Sequence, residues 1–198
     1  MGKEVELKFL IADKAQGELI LNHPMIKNEL CGPVQIIKME SIYFDTVDGN
    51  LTGHNFSLRR RCENDRVVYT VKTSSNSQGA LSERGEWEVC AEDADSALAL
   101  LREQGAPEKL FEIIGKSRLT PCAHVSFTRK TAPLRFGAHL CIDTGLLEKT
   151  PFSEMEIELS TGNIEDLIAF GSRCAEEFNL IPESLSKFTR ARALHRDN

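Results

Sequence analysis

Apolar and polar positions alternate with period two through much of the chain. The alternation predicts strands at roughly 3–11, 38–46, 56–63, 66–73, 82–91, 122–131, 134–143 and 152–161. In the first, Val5, Leu7 and Phe9 share one face and Glu4, Glu6 and Lys8 the other. Successive side chains of a strand point to opposite sides, so this is the pattern of a strand with one apolar and one polar surface. Turn chemistry separates the segments. Glu63-Asn64-Asp65 reads as a hairpin, Ser74 to Gly79 as a polar loop, and Ala132-Pro133 as a break between two strands. Helical spacing interrupts the alternation. Asp93 to Gln104 carries Ala94, Ala97, Leu98 and Leu101, and Gly105 ends it. Asn163 is placed to cap a helix with the stripe Ile164, Leu167, Ile168, Gly171, Cys174 and Phe178. Segments 13–22 and 108–116 have fainter helical patterns, and Leu185 to His195 reads as a basic helix. The expected fold class is α+β, an eight-stranded antiparallel β-barrel with helices packed outside, although strand number alone also fits a sandwich. Without repeats, low-complexity tracts or a linker, residues 1–198 are expected to form one domain.

Composition narrows the function classes. Of 198 residues, 41% are hydrophobic and 27% charged, which suits a packed core and argues against disorder. A net charge of −6 weighs against a general nucleic-acid binder. The six cysteines form no CxxC pair, and no histidine pair has zinc-site spacing, so free thiols in a reducing compartment are expected. Glu4, Glu6 and Lys8 interrupt any signal-peptide pattern, and no apolar run approaches the ~20 residues of a membrane span. A cytoplasmic protein with neither nucleic-acid nor membrane partners is expected, with a homodimer left open.

The charges recur on strand faces. Arg59 and Arg61 share one face, and Lys72 ends the next strand. Arg84, Glu86 and Glu88 lie opposite Trp87 and Val89, and Glu154, Glu156 and Glu158 opposite Met155, Ile157 and Leu159. Arg129 and Asp143 sit within two further strands. On an ordinary sheet these faces would meet water and pair across strands. In a barrel turned the other way they would line the interior. The Val5/Leu7/Phe9 and Met155/Ile157/Leu159 faces would then pack under the stripe at 164–178. Buried charges need partners, because an uncompensated ion is costly. Grouped glutamates are hard oxygen ligands for Mg²⁺ or Mn²⁺, and arginines and lysines facing them would bind a polyanion. Acids and bases in one cavity describe a metal–polyphosphate site suited to phosphoryl transfer.

The motifs also occur in a familiar order. ExExK is present as Glu4-Val5-Glu6-Leu7-Lys8, and a YFD strand as Tyr43-Phe44-Asp45. LRxR follows as Leu58-Arg59-Arg60-Arg61, TxK as Thr70-Val71-Lys72, and an RxExE type as Arg84-Gly85-Glu86-Trp87-Glu88. Then come Arg129, Asp143-Thr144-Gly145, Glu154 to Glu158 and Ser186-Lys187. In this order the chain resembles the CYTH, or triphosphate tunnel metalloenzyme, superfamily over residues 4 to 187. The resemblance implies an eight-stranded antiparallel tunnel with a charged interior. It implies that Glu4 and Glu6 ligate Mg²⁺ or Mn²⁺ with a glutamate of the 154–158 strand, Glu156 first, with Glu154 and Glu158 as alternatives. Asp143 would be near the metal or its waters. Lys8, Arg59, Arg61, Lys72, Arg84, Arg129 and Lys187 would bind the triphosphate, with Glu4, Glu6, Lys8 and Lys72 as the catalytic set. Glu86 and Glu88 would orient tunnel bases or support a second ion. Arg60 has the opposite parity and belongs outside, and no histidine falls on a motif position. The chain is most similar to bacterial inorganic triphosphatases, which implies hydrolysis of inorganic triphosphate to pyrophosphate and phosphate. The same scaffold also carries thiamine triphosphatases, class IV adenylate cyclases and RNA triphosphatases. A non-catalytic polyphosphate- or nucleotide-binding module is a further alternative.

Overall fold

The computed structural model describes residues 2–115 and 117–196. Ten strands are present: β1 (Gly2–Leu10), β2 (Gln35–Thr46), β3 (Ser57–Glu63), β4 (Arg66–Lys72), β5 (Asn76–Gln78), β6 (Leu81–Cys90), β7 (Leu119–Leu134), β8 (Ala138–Leu147), β9 (Thr150–Leu159) and β10 (Ile181–Pro182). Eight of them close into a barrel in the order β1-β9-β8-β7-β2-β3-β4-β6. β1 closes the ring because it pairs with β6 through residues 2–7 and with β9 through residues 6–10. All these pairings are antiparallel. Closure leaves the barrel strands without free edges, and the short strands β5 and β10 flank it.

Seven helices lie among the described residues: α1 (Lys14–Asn22), α2 (Pro24–Glu29), α3 (Asn50–Gly53), α4 (Ala94–Glu103), α5 (Glu108–Ile114), α6 (Ile164–Phe178) and α7 (Lys187–Arg196). Their starts follow capping chemistry. The side chains of Asp13, Asp93 and Asn163 accept hydrogen bonds from the backbone N–H groups of Gln16, Ser96 and Asp166. Asn64 supplies the left-handed backbone, φ +52°, that joins β3 to β4 in a two-residue hairpin.

Two apolar layers lie outside the barrel. Val5, Leu7, Phe9, Met155 and Ile157 pack with Leu167, Phe170 and Cys174 of α6. Gly171 lets the helix approach, since a Cβ there would stand 2.2 Å from Leu7. Leu58, Val71, Trp87 and Val89 pack with Leu51, Leu101 and Phe111 from α3, α4 and α5. A third cluster joins Tyr43, Phe127 and Phe152 to Phe188 and Ala191 of α7. With both outer layers occupied by one strand face, the charged alternate face turns inward.

Three details differ from the expectation. Ala132 and Pro133 lie within β7, paired with Leu140 and His139, so the turn falls after Leu134 and β8 spans 138–147. The proline is tolerated because the β2 ladder ends at Gln35 opposite Thr131, and the carbonyl on that edge accepts the Cys31 N–H. Ile168 is 44% exposed, and Phe170 takes its place in the α6 stripe. The polar loop at 74–79 contains the short strand β5, paired with β6. No helix among the described residues is long and apolar enough to cross a membrane.

Candidate active site

The inward faces enclose a cavity of about 200 Å³ whose walls differ in charge. On the β1/β9 wall, the register sets Glu6 opposite Glu158 and Lys8 opposite Glu156. Glu6, Glu156 and Glu158 bring carboxylate oxygens within 4.8 Å of one another. Glu6 is buried and its Oε1 has no hydrogen-bond partner; the nearest ammonium, Lys8 Nζ, is 3.1 Å away. Burial, and then the charge of Glu156, push the Glu6 pKa up. A buried, incompletely satisfied carboxylate beside two others is an environment that a divalent cation relieves. The trio therefore fits a hard cation.

Glu4, one rung away, is differently engaged. Its oxygens accept from Lys72 Nζ at 2.6 Å and Arg84 Nε at 2.5 Å. Burial would raise its pKa, but these two cations hold it well below the carboxylate range. Lys72 also pairs with Glu86 at 3.1 Å.

The opposite wall is basic. Three strands (β9, β8 and β7) separate β1 from β2 in one direction and two (β6 and β4) separate β1 from β3 in the other, so β2 and β3 face β1 and β9. Arg59 donates to Thr70 Oγ1 at 2.9 Å, while its buried Nε has no partner. Arg61 donates to Ser41 Oγ at 3.0 Å, and its nearest carboxylate, Glu63, is 3.8 Å away. Burial, and then Arg59, lower the Arg61 pKa to about 10. Tyr43 lines the same cavity. Burial alone would raise its pKa, yet Arg59 and Arg61 hold it below its ordinary value. Two buried guanidiniums with weak internal pairing form an anion site.

A dense ion-pair network lies beside these walls. Arg129 grips Asp143 through two bonds of 2.8 Å and reaches Glu156 at 2.6 Å and Glu158 at 2.7 Å. Lys187 contacts Asp143 at 2.8 Å, Glu156 at 3.0 Å and also Glu154. Burial would raise the Asp143 pKa, but Arg129 and Lys187 lower it.

The sequence-predicted residues thus fall into groups. Lys8, Arg59, Arg61, Lys72, Arg84, Arg129 and Lys187 all line the cavity, as do Glu4, Glu6, Glu156 and Glu158. Asp143 and Glu154 are fully buried behind the lining, where they form a second acidic group with Glu156 already filled by Lys187. Arg60 is absent from the lining, as its parity predicts. Sequence reasoning missed Tyr43, Ser57 and Glu63 as lining residues. Ser57 and Glu63 share the parity of Arg59 and Arg61, which was the available signal. Asp45 of the YFD strand caps α3 instead, accepting from the Leu51 N–H at 2.8 Å and the Thr52 hydroxyl at 2.6 Å.

A second hollow of about 290 Å³ shares Ser57, Arg84, Ser186 and Phe188 with the cavity. Serine and threonine hydroxyls, with Phe56 and Leu185, dominate its remaining wall.

The CYTH domain model matches residues 2–191. The chain belongs to the CYTH family. The inorganic triphosphatase of Haemophilus influenzae is 26% identical over 205 residues, covering 96% of this chain and 54% of that protein. This CYTH chain therefore spans about half the length of that curated relative. Among solved structures, a Hippeastrum adenylyl cyclase candidate described as having a dominant triphosphatase activity superposes with a TM-score of 0.76 at 18% identity. That match covers 96% of this chain and 95% of the other. The PH1819 protein of Pyrococcus horikoshii gives 0.63 at 20% identity, covering 98% and 99%. A candidate adenylate cyclase from Bacillus halodurans gives 0.66 at 21%, covering 96% and 98%. At these identities the structural likenesses speak to the fold, which is the CYTH tunnel.

Proposed function

We propose that this CYTH protein hydrolyses inorganic triphosphate to pyrophosphate and phosphate with a divalent cation, Mg²⁺ or Mn²⁺. The observation that carries the reading is the pair of facing walls, weakly paired Arg59 and Arg61 opposite converging Glu6, Glu156 and Glu158. Seven basic and seven acidic side chains line the cavity, so the lining has no excess positive charge to neutralise a triphosphate. A substrate that arrives with its cation satisfies both walls at once. Arg59 and Arg61 would take phosphate oxygens, and Glu6, Glu156 and Glu158 would hold the ion. Bound there, the ion would screen phosphate charge and lower the pKa of an attacking water. Lys8, between Glu6 at 3.1 Å and Glu156 at 3.8 Å, would meet the charge that develops on the phosphoryl oxygens. Glu4 would act by holding Lys72 and Arg84 toward the substrate. The inorganic triphosphatase relative supports this choice, and the cysteines among the described residues are free thiols, as suits a cytoplasmic setting.

The second hollow favours one alternative, a substituted triphosphate such as ATP or thiamine triphosphate. Its lining is largely uncharged, and its one cation, Arg84, is already bound to Glu4. It would suit an organic group better than further phosphates.

Phosphate release from inorganic triphosphate, ATP and thiamine triphosphate, each with Mg²⁺, Mn²⁺ or EDTA, tests both readings. Fast metal-dependent turnover of inorganic triphosphate alone is expected. Faster turnover of a substituted triphosphate, or cyclic AMP from ATP, would favour the alternative. Binding without turnover of any of the three would indicate a binding module.

A further inference from the structure

Glu154 is the glutamate of β9 that the cavity does not need. It is fully buried, does not line the cavity, and has both oxygens engaged by α7: Oε1 by Lys187 and Oε2 by Arg190. Arg190 follows Lys187 by three residues, so both side chains project from one face of the helix. Other contacts fix the same turn. Ser186 Oγ accepts the Thr189 N–H at 3.0 Å, Phe188 stacks on Tyr43 at 4.8 Å, and Arg190 lies 3.8 Å from Glu183. Glu183 is anchored in turn, its N–H donating to the Lys8 carbonyl at 3.0 Å. Lys187 is the α7 cation that reaches the cavity, and its ammonium is shared among Asp143, Glu154 and Glu156.

We infer that Glu154 and Arg190 form a clasp that positions Lys187 in the tunnel, so that Glu154 is a positioning residue and not a ligand of the cation. The inference rests on the triphosphatase reading for the meaning of Lys187. Glu154 is fully buried and outside the cavity lining, whereas Glu6, Glu156 and Glu158 line it, so an ion in the cavity meets those three carboxylates and not Glu154. Arg190 keeps Glu154 from drawing Lys187 wholly to itself, away from Asp143 and Glu156. Removing Arg190 leaves a buried carboxylate oxygen without its partner, and the ammonium is the nearest group that can move to it.

The test compares Arg190→Ala, Arg190→Lys, Glu154→Gln and the Glu154→Gln/Arg190→Ala double variant. It reads KM for inorganic triphosphate, kcat and the Mg²⁺ concentration for half-maximal rate. Arg190→Ala and Glu154→Gln are each expected to raise KM about tenfold with a smaller change in kcat, because binding contacts of a displaced Lys187 are lost. Arg190→Lys should recover most of the loss, the double variant should be no worse than the worse single, and the Mg²⁺ midpoint should stay put. A tenfold rise in the Mg²⁺ midpoint for Glu154→Gln, with Arg190→Ala unaffected, would make Glu154 an ion ligand and overturn the clasp. Unchanged KM in soluble, folded Arg190→Lys and Glu154→Gln would overturn it too. If the wild-type protein turns over no triphosphate, the triphosphatase reading fails on its own. Calorimetric binding of triphosphate then decides the clasp: about tenfold weaker binding by Arg190→Ala supports it, and equal binding overturns it.

Discussion

At the scale of single residues, the tunnel is organised by which charges are already paired. Glu4, Arg84, Arg129 and Lys187 have close partners, whereas Arg59 has no carboxylate within ion-pair reach among the described residues. Arg59→Ala should therefore raise KM for triphosphate tenfold or more, beyond the ~1 kcal/mol of an exposed ion pair. Steady-state kinetics check this, and a change below threefold would place Arg59 outside the phosphate site. Glu6 carries a second expectation. Its pKa is raised by burial and by Glu156, so protons compete with a cation for it at a higher pH than for an ordinary carboxylate. Mg²⁺ affinity should fall on acidification. Titration calorimetry with Mg²⁺ at a series of pH values checks this; an affinity that stays constant on acidification would mean that protons do not compete for the site. The charged trio of β1 was legible as a candidate site because alternation fixes which side chains share a face. The pairing of those charges was not legible, because it depends on register between strands far apart in sequence, such as Glu4 opposite Arg84.

Among the elements, strand identity was readable and strand ends were not. Alternation located all eight barrel strands; most turn an apolar face to an outer helix layer, while β7 turns Ala123, Val125 and Phe127 to the same side as the cavity-lining Arg129. It misplaced the β7–β8 turn at Pro133, because whether a proline breaks a strand depends on which neighbour its nitrogen faces. Ile168 illustrates the same limit in α6: its spacing fits the stripe, yet it is exposed, and Phe170, three residues after Leu167 and four before Cys174, packs into the core instead. At Gly145, β8 has no room for a Cβ. A Cβ there would stand 2.0 Å from the Ser126 carbonyl oxygen and 2.4 Å from the Phe127 Cα, both backbone atoms. Gly145→Ala should destabilise the protein by about 2–3 kcal/mol, since neither strand can yield without breaking the ladder. Urea unfolding checks this, and a loss below 0.5 kcal/mol, the range of a neutral surface change (~0.5), would show that β7 and β8 have slack.

For the whole molecule, a tunnel full of paired charges ties stability to pH. Burial raises the Glu4 and Glu156 pKa values, but Lys72 and Arg84 for Glu4, and Lys187 and Arg129 for Glu156, hold both well below the ordinary 4.5. Folded-state values below the unfolded ones give stability that is present above the ordinary carboxylate range and lost as pH falls through it. In EDTA, the urea midpoint should hold near neutrality and fall steeply below pH 4.5, the ordinary value. A midpoint flat down to pH 3, about a unit below the unfolded range, would mean that these pairs add little. The closed barrel, its inward charge and its family were foreshadowed by ordered motifs spread along the chain. The polarity of the tunnel emerged only when closure set β3 across from β1 and β9.

That polarity is the central claim, and metal-dependent turnover tests it most directly. Phosphate release from inorganic triphosphate should be absent in EDTA, appear on adding Mg²⁺ or Mn²⁺, and vanish in folded Glu6→Gln. Turnover that persists in EDTA, or that is unchanged in Glu6→Gln, would contradict it.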